Sequence, residues 1–439
     1  MWLRLAALAA FAIAPCACAH AQAPSPPAKG LSPGPMPADT LTLDDAFVRV
    51  ALAHPDLRLF GAQTDILLAE RDQAMLKPAL SAGLDIENAL GTGAARGFDQ
   101  AEITLSLTGV LERSGKLDAR RALAQGRIDA LSVQREAQRL DLLAETARRY
   151  LAVAGAQAQA DIARLDIEQR RRTVDAARQR LQAGASPESV LLTAQAALAK
   201  AELVLERTLQ QEQAARRHLA ALWGQRDPDF RLAAADPLRL PAIAELQALT
   251  GHLERTPELA RFTDDRRIAE ARLQLARSAA TPDLDWQVGV RRLQDSGDTA
   301  LVGSLSLPLG AARRAQPEIR AAEATLAALE IERESQGMAL YSTLVDAHGR
   351  YRVGQLEVQR TASDVLPQLA RAERAAERAY RAGAASYLEW AQLQSERIAT
   401  QRQQLDAALE ARRALIEIQR LTGQSFVHGP DATGQGTTP

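Results

Sequence analysis

The amino-acid sequence predicts a mostly α-helical protein with a transmembrane β portion, built from two structural repeats. Three observations lead to this fold class. First, the chain from about Leu41 to Gly423 is similar to itself at an offset close to 200 residues, as Leu84-Asp85-Ile86 and Leu284-Asp285-Trp286 show. Second, each half contains two short segments in which apolar and polar residues alternate. Third, a very long helical pattern follows each pair of segments.

The composition favours long helices that pack closely, and it argues against nucleic-acid binding. Hydrophobic residues, mostly alanine and leucine, make up 46% of the 439 residues, whereas aromatic residues make up only 4%. That profile is typical of long helices packed side by side. The formal net charge is −1, so the chain has no basic surplus for a phosphate backbone. We therefore expect no nucleic-acid partner.

The first 21 residues are predicted to be a secretory signal peptide. One positive charge precedes the apolar run Leu5–Pro15, and Ala19-His20-Ala21 has the small-x-small form of a cleavage site. Both cysteines, Cys16 and Cys18, lie in this segment, so the mature chain is predicted to have no disulfide and no thiolate metal site. Lipidation of either cysteine stays open, although a proline directly before Cys16 fits a lipoprotein signal poorly.

The sequence divides into five segments. After the signal peptide, residues 22–40 are rich in proline and predict an extended segment, and residues 425–439 predict a disordered tail. Between them lie structural repeat 1, residues 41–224, and structural repeat 2, residues 225–424. No stretch has the roughly 18 uncharged apolar residues of a transmembrane helix. We expect an exported protein that is either soluble or inserted through β-strands.

Repeat 1 is predicted to contain four helices: Leu43–Ala53, Asp56–Leu76, about Ser114–Ala183, and Pro187–Trp223. Thr42 can cap the first helix, and the prolines at 55 and 78 end the first two. The third helix would be about 100 Å long at 1.5 Å per residue. Gly184 separates it from the fourth helix and predicts a hairpin tip.

Repeat 2 is predicted to follow the same order. Its helices begin at about Ala244 and then cover Pro257–Ser278, about Ala311–Arg381, and Ser386–Leu421. Gly383 predicts the second hairpin tip. Pro367 lies inside the long helix and predicts a kink there.

Four segments are predicted to be β-strands: residues 81–89 and 102–111 in repeat 1, and residues 283–293 and 300–309 in repeat 2. Each has about ten residues, which suits a tilted transmembrane strand. Four strands are too few to close a spanning barrel, and an open sheet would leave backbone groups unpaired in lipid. If these strands enter a membrane, several chains must therefore share one barrel.

This order of elements, and residues at its boundaries, resemble the TolC-like outer-membrane efflux proteins. The resemblance is greatest to the CzcC-like branch, which serves heavy-metal exporters of the resistance-nodulation-division (RND) class. The residues that carry it are the two glycine turns together with Leu41–Ala46, Leu84–Asn88, Ser114-Gly115-Lys116, Val365-Leu366-Pro367 and Leu421-Thr422-Gly423. The chain departs from the family at Ser114, where Gly-Gly-Lys is more usual, and repeat 1 has no counterpart of Pro367.

The resemblance implies a homotrimer in the outer membrane, surrounded by its lipid and extending into the periplasm. Twelve strands would form one β-barrel, continued by a long α-helical barrel. The hairpin tips would meet a periplasmic adaptor, which joins the channel to an inner-membrane RND pump. The chain would be a passive gated conduit for heavy-metal cations of the cobalt, zinc, cadmium or copper type, with no enzyme activity and no cofactor.

Other functions remain open at this point. A channel of this family could instead carry drugs and other organic compounds, or serve type I secretion. From other classes, a periplasmic adaptor would have a single helical hairpin and a split lipoyl-like domain, and a secreted coiled-coil structural protein would have sustained heptads without strands. The duplicated hairpins and the two strand pairs of this chain favour the channel.

The resemblance also singles out residues near the tips. Glu389 lies six residues after Gly383, where relatives can carry an acidic ring that narrows the tunnel, and Val190 occupies the matching position in repeat 1. A ring would thus have three carboxylates. Tyr380 matches a position that locks the closed tip, and we expect its hydroxyl to take part. The candidate docking residues are Gly184, Ser186, Gly383 and Ser386. The alternative interpretation of all these positions is solvated side chains beside a turn.

No pattern in the sequence predicts a metal or catalytic site. The histidines of the mature chain lie apart, without the spacing of helical metal ligands. The arginine-rich stretch Gln169–Arg172, together with Arg178 and Arg180, is predicted to be a solvated face and not a ligand site.

Overall fold

The computed structural model describes residues 40–233 and 236–426. The predicted signal peptide, nearly all of the proline-rich segment and the tail from residue 427 lie outside these residues. In chain order the helices and strands are α1 Leu43–Ala53, α2 Pro55–Ala74, β1 Ser81–Glu87, β2 Glu102–Leu111, α3 Lys116–Gln182, α4 Glu188–Ala220, α5 Leu246–Thr250, α6 Pro257–Ala279, β3 Leu284–Leu293, β4 Thr299–Ser306, α7 Ala311–Arg360, a π-helical turn Thr361–Val365, α8 Leu366–Arg381 and α9 Tyr387–Thr422.

The ends of the elements differ from the predicted ends for local reasons. β1 stops two residues short of residue 89 because Asn88 has φ 54°, outside the extended region. β4 ends before Pro308, which has no amide hydrogen to donate to a ladder. The helix predicted from about Ala244 is reduced to the five residues of α5, followed by a short 3₁₀ turn over Leu253–Arg255. Phe426 packs its ring 5.8 Å from that of Phe47, so the first residues of the predicted tail lie against the fold.

The start of α1 shows how local sequence determines an end. Thr42 Oγ1 accepts a hydrogen bond from the Asp45 amide at 3.1 Å, and Asp45 Oδ2 accepts one from the Thr42 amide at 3.0 Å. This reciprocal capping box satisfies two amides that the helix itself leaves free. The bond to Thr42 lowers the pKa of Asp45, so the cap stays charged at neutral pH.

The four strands form one antiparallel sheet in the order β1-β2-β3-β4. Leu84, Leu105, Val290 and Leu301 are paired in register across it, and successive residues point to opposite sides. The side that contains this row is the apolar face, and it is uncovered: Leu105 is 62% exposed and Leu301 is 88% exposed. The opposite side, the polar face, contains serine, threonine and charged residues. Within the described chain, β1 and β4 each have one unpaired edge.

The junction between sheet and helices is held by hydrogen bonds. Ser114 and Gly115 have φ values of 60° and 70°, a conformation that glycine adopts more readily than serine. Asp283 Oδ1 accepts from Lys116 Nζ at 2.7 Å and from the Arg113 amide at 3.1 Å. The start of α3 is therefore tied to the start of β3, and the two repeats are joined at this level.

The long helices pack through small residues, and α9 lies against both α3 and α7. Gly155 of α3 faces Leu409, and a Cβ at this glycine would lie 2.8 Å from Leu409 Cδ1. Gly354 of α7 faces Ala411, where a Cβ would lie 2.8 Å from the alanine Cβ. The two glycines are separated by the repeat offset. Close approach of α9 to its two neighbours thus depends on the missing side chains.

A buried tyrosine in each long helix pins the segment that opens its repeat. Tyr150 donates its hydroxyl to the Leu41 carbonyl at 3.2 Å, and Tyr351 donates to the carbonyl of Pro241. Burial raises the pKa of both hydroxyls to about 12. Arg412 adds hydrogen bonds to the carbonyls of residues 236, 237 and 239, and its burial lowers its pKa. The segment that opens repeat 2 is thereby fixed to α9.

The predicted kink at Pro367 corresponds to a change of helix type. Thr361–Val365 form a π-helical turn directly before α8, in which Pro367 lies near the start. Gln404 Nε2 donates to the Val358 carbonyl at 2.9 Å on the α9 side of this turn. In contrast, α3 continues for 67 residues without a break. Across residues 40–233 and 236–426, none of the helices has both the length and the apolar character to cross a membrane.

Candidate functional site

Two hairpin tips lie at the far end of the long helices, and both are closed by glycine. Gly184 and Gly383 have φ values of 66° and 79°, in the left-handed region. At the first tip the Ala185 amide donates to the Arg180 carbonyl at 2.8 Å, and at the second the Ala384 amide donates to the Ala379 carbonyl at 2.8 Å. These are Schellman turns, and a side chain at either glycine would strain them.

The two serines that follow the tips differ. Ser386 caps α9, because its Oγ accepts from the Glu389 amide at 3.2 Å. At the first tip Pro187 occupies the cap position, and Ser186 makes no side-chain hydrogen bond among the described residues. The predicted docking residues therefore have equivalent glycines but not equivalent serines.

Arg180 joins the two tips. Its Nη2 donates to the Ala185 carbonyl at 3.1 Å, and its Nη1 donates to the Tyr380 carbonyl at 2.6 Å. The guanidinium carbon also lies 5.0 Å from the centre of the Tyr380 ring. The Tyr380 carbonyl belongs to the last turn of α8, where a cation is favoured, and the Ala185 carbonyl lies two residues beyond the C-cap of α3. One side chain thus bridges the two hairpins.

The predicted solvated face is therefore wrong for part of the arginine-rich stretch. Arg171, Arg172 and Arg178 are exposed, but Arg180 is half-buried and Gln169 is fully buried. Arg170 is also buried, with Nε 3.1 Å from Asp166 Oδ1. The signal that could have separated them is spacing: Gln169, Thr173, Ala176 and Arg180 recur every three or four residues along one side of α3.

Tyr380 lies inside the second hairpin tip. It is 3% exposed, and its ring packs 5.4 Å from that of Trp390 and 6.4 Å from that of Tyr387. The hydroxyl is buried and has no hydrogen-bond partner among the described residues. The expected hydroxyl contact is thus not found among the described residues, and Tyr380 meets Arg180 of the other tip through its ring and its backbone carbonyl.

Glu389 lies on the surface of the first turn of α9, with an exposed side chain. Within the described part of the chain its carboxylate makes no ion pair or side-chain hydrogen bond. The structure therefore separates the two gate candidates: Tyr380 belongs to the packed tip, and Glu389 faces outward. Val190, at the matching position of repeat 1, is half-buried against Val174 and Ala177.

A buried polar seam lies between α3 and α9 above the tips. Thr173 Oγ1 donates to Gln394 Oε1 at 3.0 Å, and Asp166 lies 3.6 Å from Arg402. Gln169, in the same seam, is 0% exposed, and neither its Nε2 nor its Oε1 has a partner in the described chain. A buried amide without partners destabilises the arrangement that buries it.

The polar face of the sheet carries a surplus of negative charge. Register places Asp85, Glu87, Glu102 and Asp285 on this face, and Arg291 is the only cation that β1 to β4 contribute to it. Arg291 lies 3.1 Å from Glu87 and 2.6 Å from Glu102. Asp85 and Asp285 have no ion-pair partner among the described residues. Such a surface attracts cations and repels anions.

The acidic polar face is not predicted by the sequence, although the alternation along each of its strands is. Alternation along each strand was visible, but which residues of four strands share one side depends on their register, which is a property of the folded sheet. Among residues 40–233 and 236–426, no group of three or more His, Cys, Asp or Glu side chains could hold a metal ion.

Comparison with known proteins agrees with this architecture. Residues 52–225 match the family model described as "Outer membrane efflux protein". The chain is 27% identical over 281 residues to the cobalt-zinc-cadmium resistance protein CzcC of Cupriavidus metallidurans, covering 64% of this chain and 67% of the relative.

Solved structures share the fold at lower identity. The outer-membrane channel OprN superposes with a TM-score of 0.73 at 20% identity, covering 88% of this chain and 90% of that one. A CusC structure has a TM-score of 0.72 at 18% identity, covering 87% and 92%. The outer membrane protein VceC of Vibrio cholerae has a TM-score of 0.70 at 19% identity, covering 88% and 97%. The resemblance to the TolC-like outer-membrane efflux proteins and their CzcC-like branch is therefore confirmed, and the chain has the TolC-like fold.

Proposed function

We propose that this chain is the outer-membrane channel of a tripartite RND-type efflux system and that it exports heavy-metal cations. The match to the outer membrane efflux family and the shared fold support the channel. The similarity to CzcC supports a metal cargo. The chain acts as a passive conduit, and no catalytic step is assigned to it.

The open sheet supports assembly of several copies, which we propose to be a homotrimer. Its apolar face is uncovered, and β1 and β4 each leave an edge unpaired within the described chain. In a bilayer, unpaired backbone groups destabilise a sheet strongly, so the edges must meet the edges of other copies. Three chains supply twelve strands, which is enough to close a membrane barrel.

The observation that carries the cation cargo is the charge of the polar face. In a closed barrel the apolar face meets lipid and the polar face lines the passage. Four carboxylates oppose one guanidinium on this face in each chain. A narrow passage with low-dielectric walls raises the local concentration of ions of opposite charge. Three copies of this face would therefore favour divalent cations over anionic solutes.

The hairpin tips support docking to a periplasmic adaptor. They lie at the end of the helices opposite to the sheet, and their Schellman turns present Gly184 and Gly383 at the extreme end of each hairpin. An adaptor bound there would connect the tunnel to an inner-membrane pump.

A deletion strain tests the cargo. Loss of the chain should increase sensitivity to cobalt, zinc, cadmium or copper, and expression of the chain should restore growth. Sensitivity to dyes and antibiotics alone would refute the metal cargo but keep the channel. Recovery of the chain as a soluble monomer without detergent would refute the proposed channel. That result would instead favour a periplasmic adaptor or a secreted structural protein.

A further inference from the structure

Arg291 and Arg292 are consecutive residues of β3 whose side chains leave opposite sides of the sheet. Register pairs Arg291 with Thr104 and Ala300 on the polar face, and Arg292 with Ile103 and Thr299 on the apolar face. Arg291 is fully engaged: it contacts Glu87, Glu102 and Thr104. Arg292 makes no ion pair and no hydrogen bond among the described residues.

Arg292 is the only charged side chain on the apolar face of β1 to β4. All other positions of that side are aliphatic, aromatic, glycine or threonine: Ala82, Leu84, Ile86, Ile103, Leu105, Leu107, Gly109, Leu111, Leu284, Trp286, Val288, Val290, Thr299, Leu301, Gly303 and Leu305. A lone cation on such a surface needs either a partner or a position at the edge of the bilayer.

The position of Arg292 is at that edge. It is the second-last residue of β3, at the end of the sheet farthest from the helices. A Cβ built on Gly297 would lie 3.8 Å from Arg292 Nη2, so the guanidinium leans toward the turn that joins β3 to β4. Trp286 lies toward the other end of the same face, about 20 Å away at 3.3 Å per residue. Tryptophan is typical of the membrane–water interface.

A charge on the lipid-facing side of a barrel strand is tolerated near the interfaces and strongly destabilising at the midplane. The long arginine stem can lie along apolar surface while its head reaches the headgroups. The sheet is therefore positioned in the bilayer so that Arg292 lies at headgroup level.

We propose that Arg292 binds the phosphate group of an anionic lipid in the outer leaflet and so fixes the depth of the sheet. A guanidinium forms paired, charge-assisted hydrogen bonds with phosphate oxygens, and Arg292 has all of its donors free in the described chain. The inference rests on the proposed function, because it requires the apolar face to meet a membrane.

Two carboxylates, Asp295 and Asp298, lie close to Arg292 in the sequence, in the turn that joins β3 to β4. They offer a rival arrangement, in which a divalent cation bridges a carboxylate and the lipid phosphate. Asp295 Oδ1 already accepts the Ser296 amide at 2.6 Å, and Arg292 lies within 4.0 Å of neither carboxylate. The geometry thus favours direct contact between Arg292 and the lipid phosphate. Removal of divalent cations with a chelator distinguishes this arrangement from the cation bridge.

The experiment begins with membrane fractionation of the full chain, which tests the proposed function alone. The protein is then purified in a neutral detergent, and its thermal unfolding is followed during titration with lipid A, phosphatidylglycerol or phosphatidylcholine. The two anionic lipids should raise the unfolding midpoint of the wild type, and phosphatidylcholine should raise it less.

Arg292→Gln should weaken the apparent affinity for the anionic lipids about fivefold, the effect of removing one cation near an anionic surface. Arg292→Lys should retain most of it. Arg333→Gln removes an exposed arginine of α7 and is the matched control, which should bind as the wild type does. Arg291→Gln, on the other face, should also leave lipid affinity unchanged.

Three results would overturn the proposal: unchanged affinity of Arg292→Gln, an equal midpoint shift with inorganic phosphate, or complete loss of the lipid effect on addition of EDTA. The last result would assign the contact to a divalent cation at Asp295 or Asp298. Absence of the chain from the outer membrane would refute the proposed function while the lipid titration stays readable.

Discussion

Replacement of Arg180 by alanine is expected to open the periplasmic end of the channel. The side chain bridges the two hairpins through the carbonyls of Ala185 and Tyr380 and through the Tyr380 ring. Alanine removes all three contacts and leaves the Schellman turns, which are made by backbone groups, in place. The perturbation is therefore specific to the association of the two tips.

The magnitude follows from the contacts. A hydrogen bond to a charged group contributes about 1.5–3 kcal/mol, and a cation–π contact at a partly exposed site about 0.5 kcal/mol. Because Arg180 is half-buried, the lower value is appropriate for its hydrogen bond to Tyr380. The bond to the Ala185 carbonyl lies within the first tip and does not depend on the second, so the loss of tip association is about 2 kcal/mol in each chain, which shifts the balance between joined and separated tips roughly thirtyfold.

Single-channel recording in planar bilayers measures this shift. Arg180→Ala should increase the fraction of time in high-conductance states. Arg178→Ala is the matched control, because Arg178 is exposed and, among the described residues, pairs only with Asp175, at 3.0 Å. If Arg180→Ala conducts as the wild type does, or if Arg178→Ala opens the channel equally, the bridge does not hold the tips together.

Four further outcomes are expected. Tyr380→Phe should leave the closed state intact, because the hydroxyl it removes has no partner in the described chain, whereas Tyr380→Ala should increase leak; a leaky phenylalanine variant would contradict this. Gln169→Leu should raise the thermal unfolding midpoint, because it removes a buried amide without partners that lowers the free energy of unfolding by about 1–3 kcal/mol. A lower midpoint would show that the amide has a partner in the assembly. Glu389→Gln should lower cation preference in bilayer recordings, because in the proposed trimer three carboxylates near one axis would attract cations; identical selectivity in both proteins would place the constriction elsewhere. The thermal unfolding midpoint should fall as pH rises from about 10 to 12. Burial raises the pKa of Tyr150 and Tyr351 to about 12, so the folded state stabilises their neutral form. Replacement of both tyrosines by phenylalanine should remove the part of the fall that they cause.

Much of the fold was predictable, because its signals are local. Period-two alternation placed the strands within three residues at each end, and Thr42 and the two tip glycines were readable as cap and turns. What the sequence could not supply were geometries that depend on neighbours. Asn88 takes a left-handed conformation that ends β1, and the strain at Pro367 is relieved by a π-helical turn, which is one of several possible responses.

The candidate site was less predictable. Both tip glycines and the cap role of Ser386 follow from residue type, but the bridge made by Arg180 depends on contact with a residue 200 positions away. The same reason hides the acidic polar face, whose members come from three strands of two repeats. The gating role of Tyr380 stays a prediction, and its burial and the lack of a hydroxyl partner in the described chain are consequences of packing against Trp390 that no local pattern reveals.

The difference between the two hairpins has a mechanical consequence. A continuous α-helix such as α3 bends only gently, whereas a π-helical turn followed by a proline is a place of low bending stiffness. The two halves have the same order of elements, but their long helices thus differ in bending stiffness. A torque applied at the tips by a docked protein would be transmitted along α3 to the level of the sheet, while in the second hairpin it would be absorbed at Thr361–Val365, about 30 Å from Gly383 at 1.5 Å per residue. Bending is thereby confined to the second hairpin of each chain, while the first hairpin stays rigid.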